Sequence, residues 1–162
     1  MALSLESASL VRQKVYAALS GTNNPSAKHQ LWWSTAREFF NQYVGQGNAN
    51  LQFIPFSEAD ADDADGTLLA DTACKVYLFY VNKSGSATTE NTTKLFDDAT
   101  DDNTTTDQTL GITTNAAGQE AMLVYPTGFA HAAGVVITQH TTPEGVSDGS
   151  DGGDGFIVIG AA

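Results

Sequence analysis

The chain has 162 residues, a net charge of −12 and an apolar fraction of 41%, enough for one packed core with an appendage and too apolar for disorder along its whole length. So large an acidic excess repels phosphate backbones and anionic headgroups, and no basic stripe offsets it, which argues against nucleic acid and membrane as partners. The charge is also segregated: seventeen of the nineteen acids follow Gly45, whereas residues 1–45 carry Arg12, Lys14, Lys28 and Arg37 against Glu6 and Glu38.

In chain order, the first segment places Ala8, Val11, Val15 and Ala18 or Leu19 at steps of three and four, which predicts a helix. Ser4 is positioned to cap its start, and Gly21 to close its end. Asn24-Pro25 then offers an N-cap followed by a proline that loses nothing in a first turn. From there Trp32, Ala36, Phe39 and Tyr43 form one stripe and Trp33, Phe40 and Val44 an adjoining one, with Gly45 as the stop. Residues 1–45 are therefore expected as a two-helix arm.

After Gly45 the period becomes alternating, and clusters of Gly, Asn, Asp and Thr interrupt it at intervals typical of sandwich proteins. Strands are expected near Leu51–Phe56, Thr67–Asp71, Lys75–Val81, Thr92–Phe96, Thr109–Thr114, Gln119–Tyr125, Gly134–Thr141 and Phe156–Ile159. Eight short strands over residues 46–162 predict a mainly β domain, an antiparallel, jelly-roll-like sandwich. The third is apolar on both faces, as a central strand should be, with Val76, Leu78 and Tyr80 on one side and Tyr77, Phe79 and Val81 on the other. The acids gather between strands, in ADADDADG, DDATDDNTTTD and SDGSDGGDG, where solvated loops are expected.

Chemistry is harder to find. The lone cysteine, Cys74, excludes an intrachain disulfide and sits among strand residues as a small hydrophobe. Asp63, Asp65 and Gly66 fill three positions of a calcium loop, but Ala61 and Thr72 stand where carboxylates are required. Asp148, Asp151 and Asp154, separated by glycines, are the remaining candidates for a hard cation such as Ca2+; no other cofactor is expected. No nucleophile elbow, phosphate loop or dinucleotide fingerprint exists, and no paired carboxylates stand out, so no catalytic residue is assigned and the chain is not read as an enzyme. No cationic leader precedes an apolar run and no stretch reaches the ~20 apolar residues that cross a bilayer, so neither export nor membrane insertion is expected.

Trp32, Trp33, Phe39, Phe40 and Tyr43 carry two readings. One makes them core residues covering the β domain; the other makes them an interface, because a helix apolar on two adjoining faces has more surface than one contact hides and large aromatics anchor interfaces.

From Lys75 to Gly149 the order of motifs resembles that of small structural proteins of tailed-bacteriophage virions. A strand ending in Tyr80-Val81-Asn82 leads through a Ser/Gly/Ala turn into Lys94-Leu95-Phe96-Asp97. A Thr-rich loop follows, then an apolar strand closed by Pro126-Thr127-Gly128-Phe129 and a late strand, Gly134-Val135-Val136-Ile137-Thr138. The resemblance implies a β-sandwich building block of a virus particle: a capsid decoration protein, head-fibre base, or neck or tail component. It places the chain in the virion, with the major capsid protein or other virion subunits as partners and self-association expected. The competing expectation is a carbohydrate- or receptor-binding module, for which Tyr125 and Phe129 are the nearest candidates for a loop platform.

Overall fold

Where the sequence changes from helical to alternating period, the structure changes layer. The computed structural model describes residues 3–19, 27–57, 66–82, 91–100, 108–114, 119–140 and 153–162. A two-residue strand β1 (Glu6–Ser7) precedes helices α1 (Ala8–Leu19) and α2 (Ala27–Gly45). Eight strands follow: β2 (Asn50–Phe56), β3 (Thr67–Ala70), β4 (Cys74–Asn82), β5 (Asn91–Phe96), β6 (Gln108–Thr114), β7 (Glu120–His131), β8 (Val135–His140) and β9 (Asp154–Ala161). The strands coincide closely with the alternating runs, except that β7 continues six residues past Tyr125 to His131.

The helix ends differ in detail from the expectation. Ser7, not Ser4, caps α1: its Oγ accepts the Leu10 amide at 3.3 Å, while the Ser4 amide donates to Gln52 Oε1 at 3.0 Å. Ser4 is too far upstream because β1 occupies the intervening residues and pairs with Asn50 and Leu51. At the end of α2 the left-handed residue is Gly47 (φ 85°), not Gly45. The Gly47 amide donates to the Val44 carbonyl at 3.0 Å and the Asn48 amide to the Tyr43 carbonyl at 3.3 Å, the paired bonds of a Schellman termination. Gly21, Asn24 and Pro25 lie outside the described residues.

The strands form two antiparallel sheets, ordered β1-β2-β9-β4-β7 and β3-β8-β5-β6. Pairing follows one rule: β5 with β6, β4 with β7, β3 with β8 and β2 with β9. That is a single long antiparallel ribbon folded back at the β5–β6 connection. Rolling it up brings β9 against β4 and β8 against β5.

The roll creates two apolar layers. Phe56, Val76, Phe79, Val81, Leu95, Leu110, Ile112, Val135, Ile137, Ile157 and Ile159 fill the space between the sheets. On the other face of the five-stranded sheet, Leu51, Leu78, Tyr80, Phe156 and Val158 are covered by Val11, Val15 and Leu19 of α1 and by Ala36, Phe39, Phe40 and Tyr43 of α2. The helices are therefore a third layer of one packed body. The boundary at residues 45 and 46 is a change of secondary structure, not a break in packing.

Strict alternation along β4 fails at Tyr77. Opposite β9, Val76 pairs with Ile159 and Leu78 with Val158, leaving Tyr77 as the extra residue of a bulge. A bulge sends two consecutive side chains to one face, so Tyr77 joins Leu78 and Tyr80 beneath the helices while Val76 turns inward with Phe79 and Val81. The expected pairing of faces is correct after the bulge and inverted before it. Opposite the same point β7 breaks register from Tyr125 to Gly128. Gly128 has φ 81°, and a Cβ there would lie 2.7 Å from Lys75 Cβ, so glycine is required twice over.

Candidate functional site

The five aromatic residues of α2 divide. Phe39, Phe40 and Tyr43 are 2%, 1% and 6% exposed. Their helical spacing points them at the sheet, where the Phe39 and Tyr43 rings lie 5.7 and 5.2 Å from Tyr77, and the Tyr43 hydroxyl donates to the Asn50 carbonyl at 2.8 Å. These three belong to the chain's own core, which corrects the expectation that they serve a partner: a three-layer fold consumes them. Trp32 is half-buried against the same core. Its Nε1 is buried with no acceptor among the described residues.

Trp33 is different. It points away from the sheet, 45% exposed, with its ring 5.8 Å from Tyr16 of α1 and Nε1 3.4 Å from the Tyr16 carbonyl. Leu31 (56%) and Val44 (54%) on α2 and Leu10 (41%) on α1 are also exposed. Between the helices lies an open cleft of about 380 Å³ lined by Ala8, Ser9, Arg12, Phe40, Asn41, Val44 and Gly45. Arg12 and Arg37 both act on the Tyr16 hydroxyl; burial raises its pKa, and the two cations oppose the rise. Lys14 is neutralised by Glu6 at 2.6 Å. The result is an apolar margin with a slight positive bias on an otherwise acidic molecule. The sequence signals Trp33 and Val44 through the second stripe of α2; Leu10 and Tyr16 carry no signal until α1 and α2 are placed side by side.

A second group of polar residues lies at the base of the sandwich. Cys74 and His131 are cross-strand partners on β4 and β7, and both are buried. His131 Nε2 is 2.8 Å from Thr109 Oγ1 and Nδ1 is 3.4 Å from the Phe129 carbonyl. Asp97, just past β5, accepts the amides of Ala132 and Ala133 at 2.9 and 2.8 Å and of Gly134 at 3.4 Å. Burial alone would raise the Asp97 pKa, but those amides and the nearby His131 together hold it below the ordinary carboxylate value. Burial lowers His131, against the opposing pull of the Phe129 carbonyl and the Asp97 charge. Burial and then Asp97 push the Cys74 thiol up to about 11.

A cysteine, a histidine and an aspartate thus come together unforeseen, but not as a nucleophilic centre. A nucleophile needs a thiolate and access; here the thiol is protonated and sealed. The carboxylate is occupied in closing the β7–β8 turn.

Of the three cation candidates the structure describes Asp154. Asp148 and Asp151 lie outside the described residues, and Asp154 is exposed at the start of β9, opposite Asn82. Among the described residues no group of three or more His, Cys, Asp or Glu side chains converges. Tyr125 and Phe129 lie on β7 rather than on a loop. Their rings meet edge to face at 5.4 Å and pack half-buried against the sandwich interior, which leaves little flat surface for a sugar. No helix is long and apolar enough to cross a membrane among the described residues.

Compared with known proteins, the chain matches no family model, no curated protein and no solved structure.

Proposed function

We propose that the chain is a structural subunit of a tailed-bacteriophage virion, an auxiliary or decoration protein that docks through the margin of its helical layer onto the major capsid protein or a neighbouring subunit. The observation that carries this reading is the exposed set Trp33, Leu31 and Val44 on α2. Such aromatic and aliphatic anchors concentrate binding energy at interfaces, and they belong to the first 45 residues, which hold only two of the chain's nineteen acids.

Two further points support the virion assignment. The pieces that carry the resemblance fall on strands: Tyr80–Asn82 ends β4, Lys94–Phe96 ends β5, and Pro126–Gly128 lies in the irregular part of β7, with Phe129 back in register opposite Val76. We read the ribbon rolled into two antiparallel sheets as jelly-roll-like, an architecture used in viral capsids as well as lectins, though a fold alone never assigns a function. The half-buried state of Tyr125 and Phe129 weighs against the lectin branch.

Mass spectrometry of purified phage particles from cells that carry the coding sequence tests the proposal. The chain is expected in the particles at a copy number comparable with other structural subunits. Particles that lack it while the chain accumulates free in the lysate would overturn the reading.

A further inference from the structure

The five-stranded sheet ends on one side at β1, two residues long, and on the other at β7, twelve residues long and paired only with β4 among the described residues. An unpaired strand of that length presents a row of backbone donors and acceptors, which proteins usually guard with a charge, a proline or a bulge. β7 is guarded in its second half, where Pro126 and Gly128 break register with β4. Its first half, Glu120–Val124, lies in regular register against Leu78–Asn82. Its single charge is at Glu120, which accepts the Tyr80 hydroxyl at 2.7 Å. No Asp, Glu, Lys or Arg then follows before Glu144.

The sandwich is also unfinished along this edge. On the central strands the inward-facing Phe79, Val81 and Ile157 are 0% exposed. Ala121 and Leu123 of β7 pack on the same interior yet remain partly exposed.

We infer that the Glu120–Val124 edge pairs with a second copy of this chain, antiparallel about a two-fold axis, continuing the five-stranded sheet across the pair. A two-fold contact uses one patch twice and must be self-complementary. Because side chains alternate between faces, an axis that keeps both helical layers on one side must pass through a residue; the middle of the regular segment is Met122. Met122 then faces Met122 of the second copy, Ala121 faces Leu123 and Glu120 faces Val124. No like charges are opposed, because the one charge of the strip, Glu120, faces Val124; for a chain of net charge −12 such a strip is where two molecules repel each other least. The added strand covers Ala121 and Leu123 and closes the interior. The inference rests on the sheet edge and not on the virion reading.

Sedimentation of the full chain tests it, with Ala121→Lys as the edge breaker and two cysteine variants as traps. The wild type is expected at twice the 17.0 kDa chain mass. Ala121→Lys, with an unchanged β-type circular dichroism spectrum, should raise the dimer dissociation constant at least tenfold, by roughly the cost of losing one good interface contact. Met122→Cys should form a cross-linked dimer under mild oxidation, whereas Thr127→Cys, exposed on the irregular half of β7, should not; Cys74 is buried and silent. A wild type that stays monomeric to its solubility limit would overturn the proposal, as would a folded Ala121→Lys variant that dimerises like the wild type. If Ala121→Lys fails to fold, the traps decide: equal cross-linking of Met122→Cys and Thr127→Cys, or none of Met122→Cys, overturns it.

Discussion

The two apolar layers share the five-stranded sheet, yet they are built from different side chains. Between the sheets the residues are mostly branched aliphatics, Val76, Val81, Leu95, Ile137, Ile157 and Ile159, with Phe79 among them. Under the helices aromatic rings take a far larger share, with Phe39, Phe40, Tyr43, Tyr77, Tyr80 and Phe156 packed among aliphatics such as Val11, Val15, Leu51, Leu78 and Val158. Two pleated surfaces that face each other favour short branched side chains that interdigitate. A helix leaves a wider and less regular gap, which large rings fill, and tyrosine lets the layer end in hydrogen bonds where it meets solvent. Tyr43 bonds the Asn50 carbonyl and Tyr80 bonds Glu120 in that way. The layer between the sheets is closed at its central strands and partly exposed along β7, whereas the helical layer runs out into an exposed margin at Trp33.

The most severe way to break that comparison is to remove the helical layer. A fragment of residues 46–162 exposes Leu51, Leu78, Tyr80, Phe156 and Val158 together, a patch large enough to drive association. The fragment is expected to keep a β-type circular dichroism spectrum, bind a hydrophobic dye and aggregate. A monomeric, dye-silent fragment would show that the helices are dispensable to the sandwich.

Next in size is truncation inside the closed layer. Phe79 is fully buried, and Phe79→Ala should cost about 3–5 kcal/mol through lost burial and the cavity left behind. Urea denaturation at neutral pH measures it. A loss below ~1 kcal/mol would mean that the interior relaxes far more than a two-sheet core normally does.

Acid tests a smaller effect, at the base of the sandwich. The folded pKa of His131 is lowered from its ordinary 6.5, so the unfolded chain binds a proton at a pH where the folded chain does not. Stability is therefore whole above pH 6.5 and falls as the pH drops below it. The Asp97 pKa, lowered from its ordinary 3.8, acts with the same sign, and its share is lost only below that value. Melting temperature should fall from pH 7 to pH 5, and His131→Gln should flatten that interval while leaving the steeper acid limb. An unchanged slope in the variant would remove His131 from the account.

Much of this architecture is legible in the sequence, for a physical reason: the longer strands bury at least one face, so alternation is written into the chain, and turn residues mark the breaks. The third strand reads as central because both its faces are apolar, and β4 is indeed flanked by β9 and β7. What periodicity cannot express is geometry set by a neighbour. The bulge at Tyr77 depends on the path of β7 and β9 beside it, and the true cap at Ser7 depends on β1 pairing with β2. The Asp97 anchor is invisible because nothing near Asp97 announces that the β7–β8 turn, 35 residues away, needs its carboxylate. The division of the α2 aromatics is likewise a tertiary fact, since a wide apolar face does not say which half the sheet will take.

The smallest expected change in stability separates the two tryptophans. Trp33 is 45% exposed and makes one long hydrogen bond, to the Tyr16 carbonyl at 3.4 Å; Trp33→Ala should cost no more than about 1 kcal/mol of folding free energy. Trp32 packs against the helix-side core, and Trp32→Ala should cost about 2–4 kcal/mol. Its indole Nε1 lacks an acceptor among the described residues, so Trp32→Phe forfeits little polar energy and should lie far closer to the wild type. If Trp33 anchors a partner, the order reverses in an assembly assay: folded Trp33→Ala loses ~2 kcal/mol or more of docking, while Trp32→Phe docks normally. Measuring unfolding and particle association on the same variants resolves the two roles. If Trp33→Ala docks as the wild type does, the exposed margin of α2 is not the contact surface, and the comparison between a closed layer and an open one then concerns stability alone.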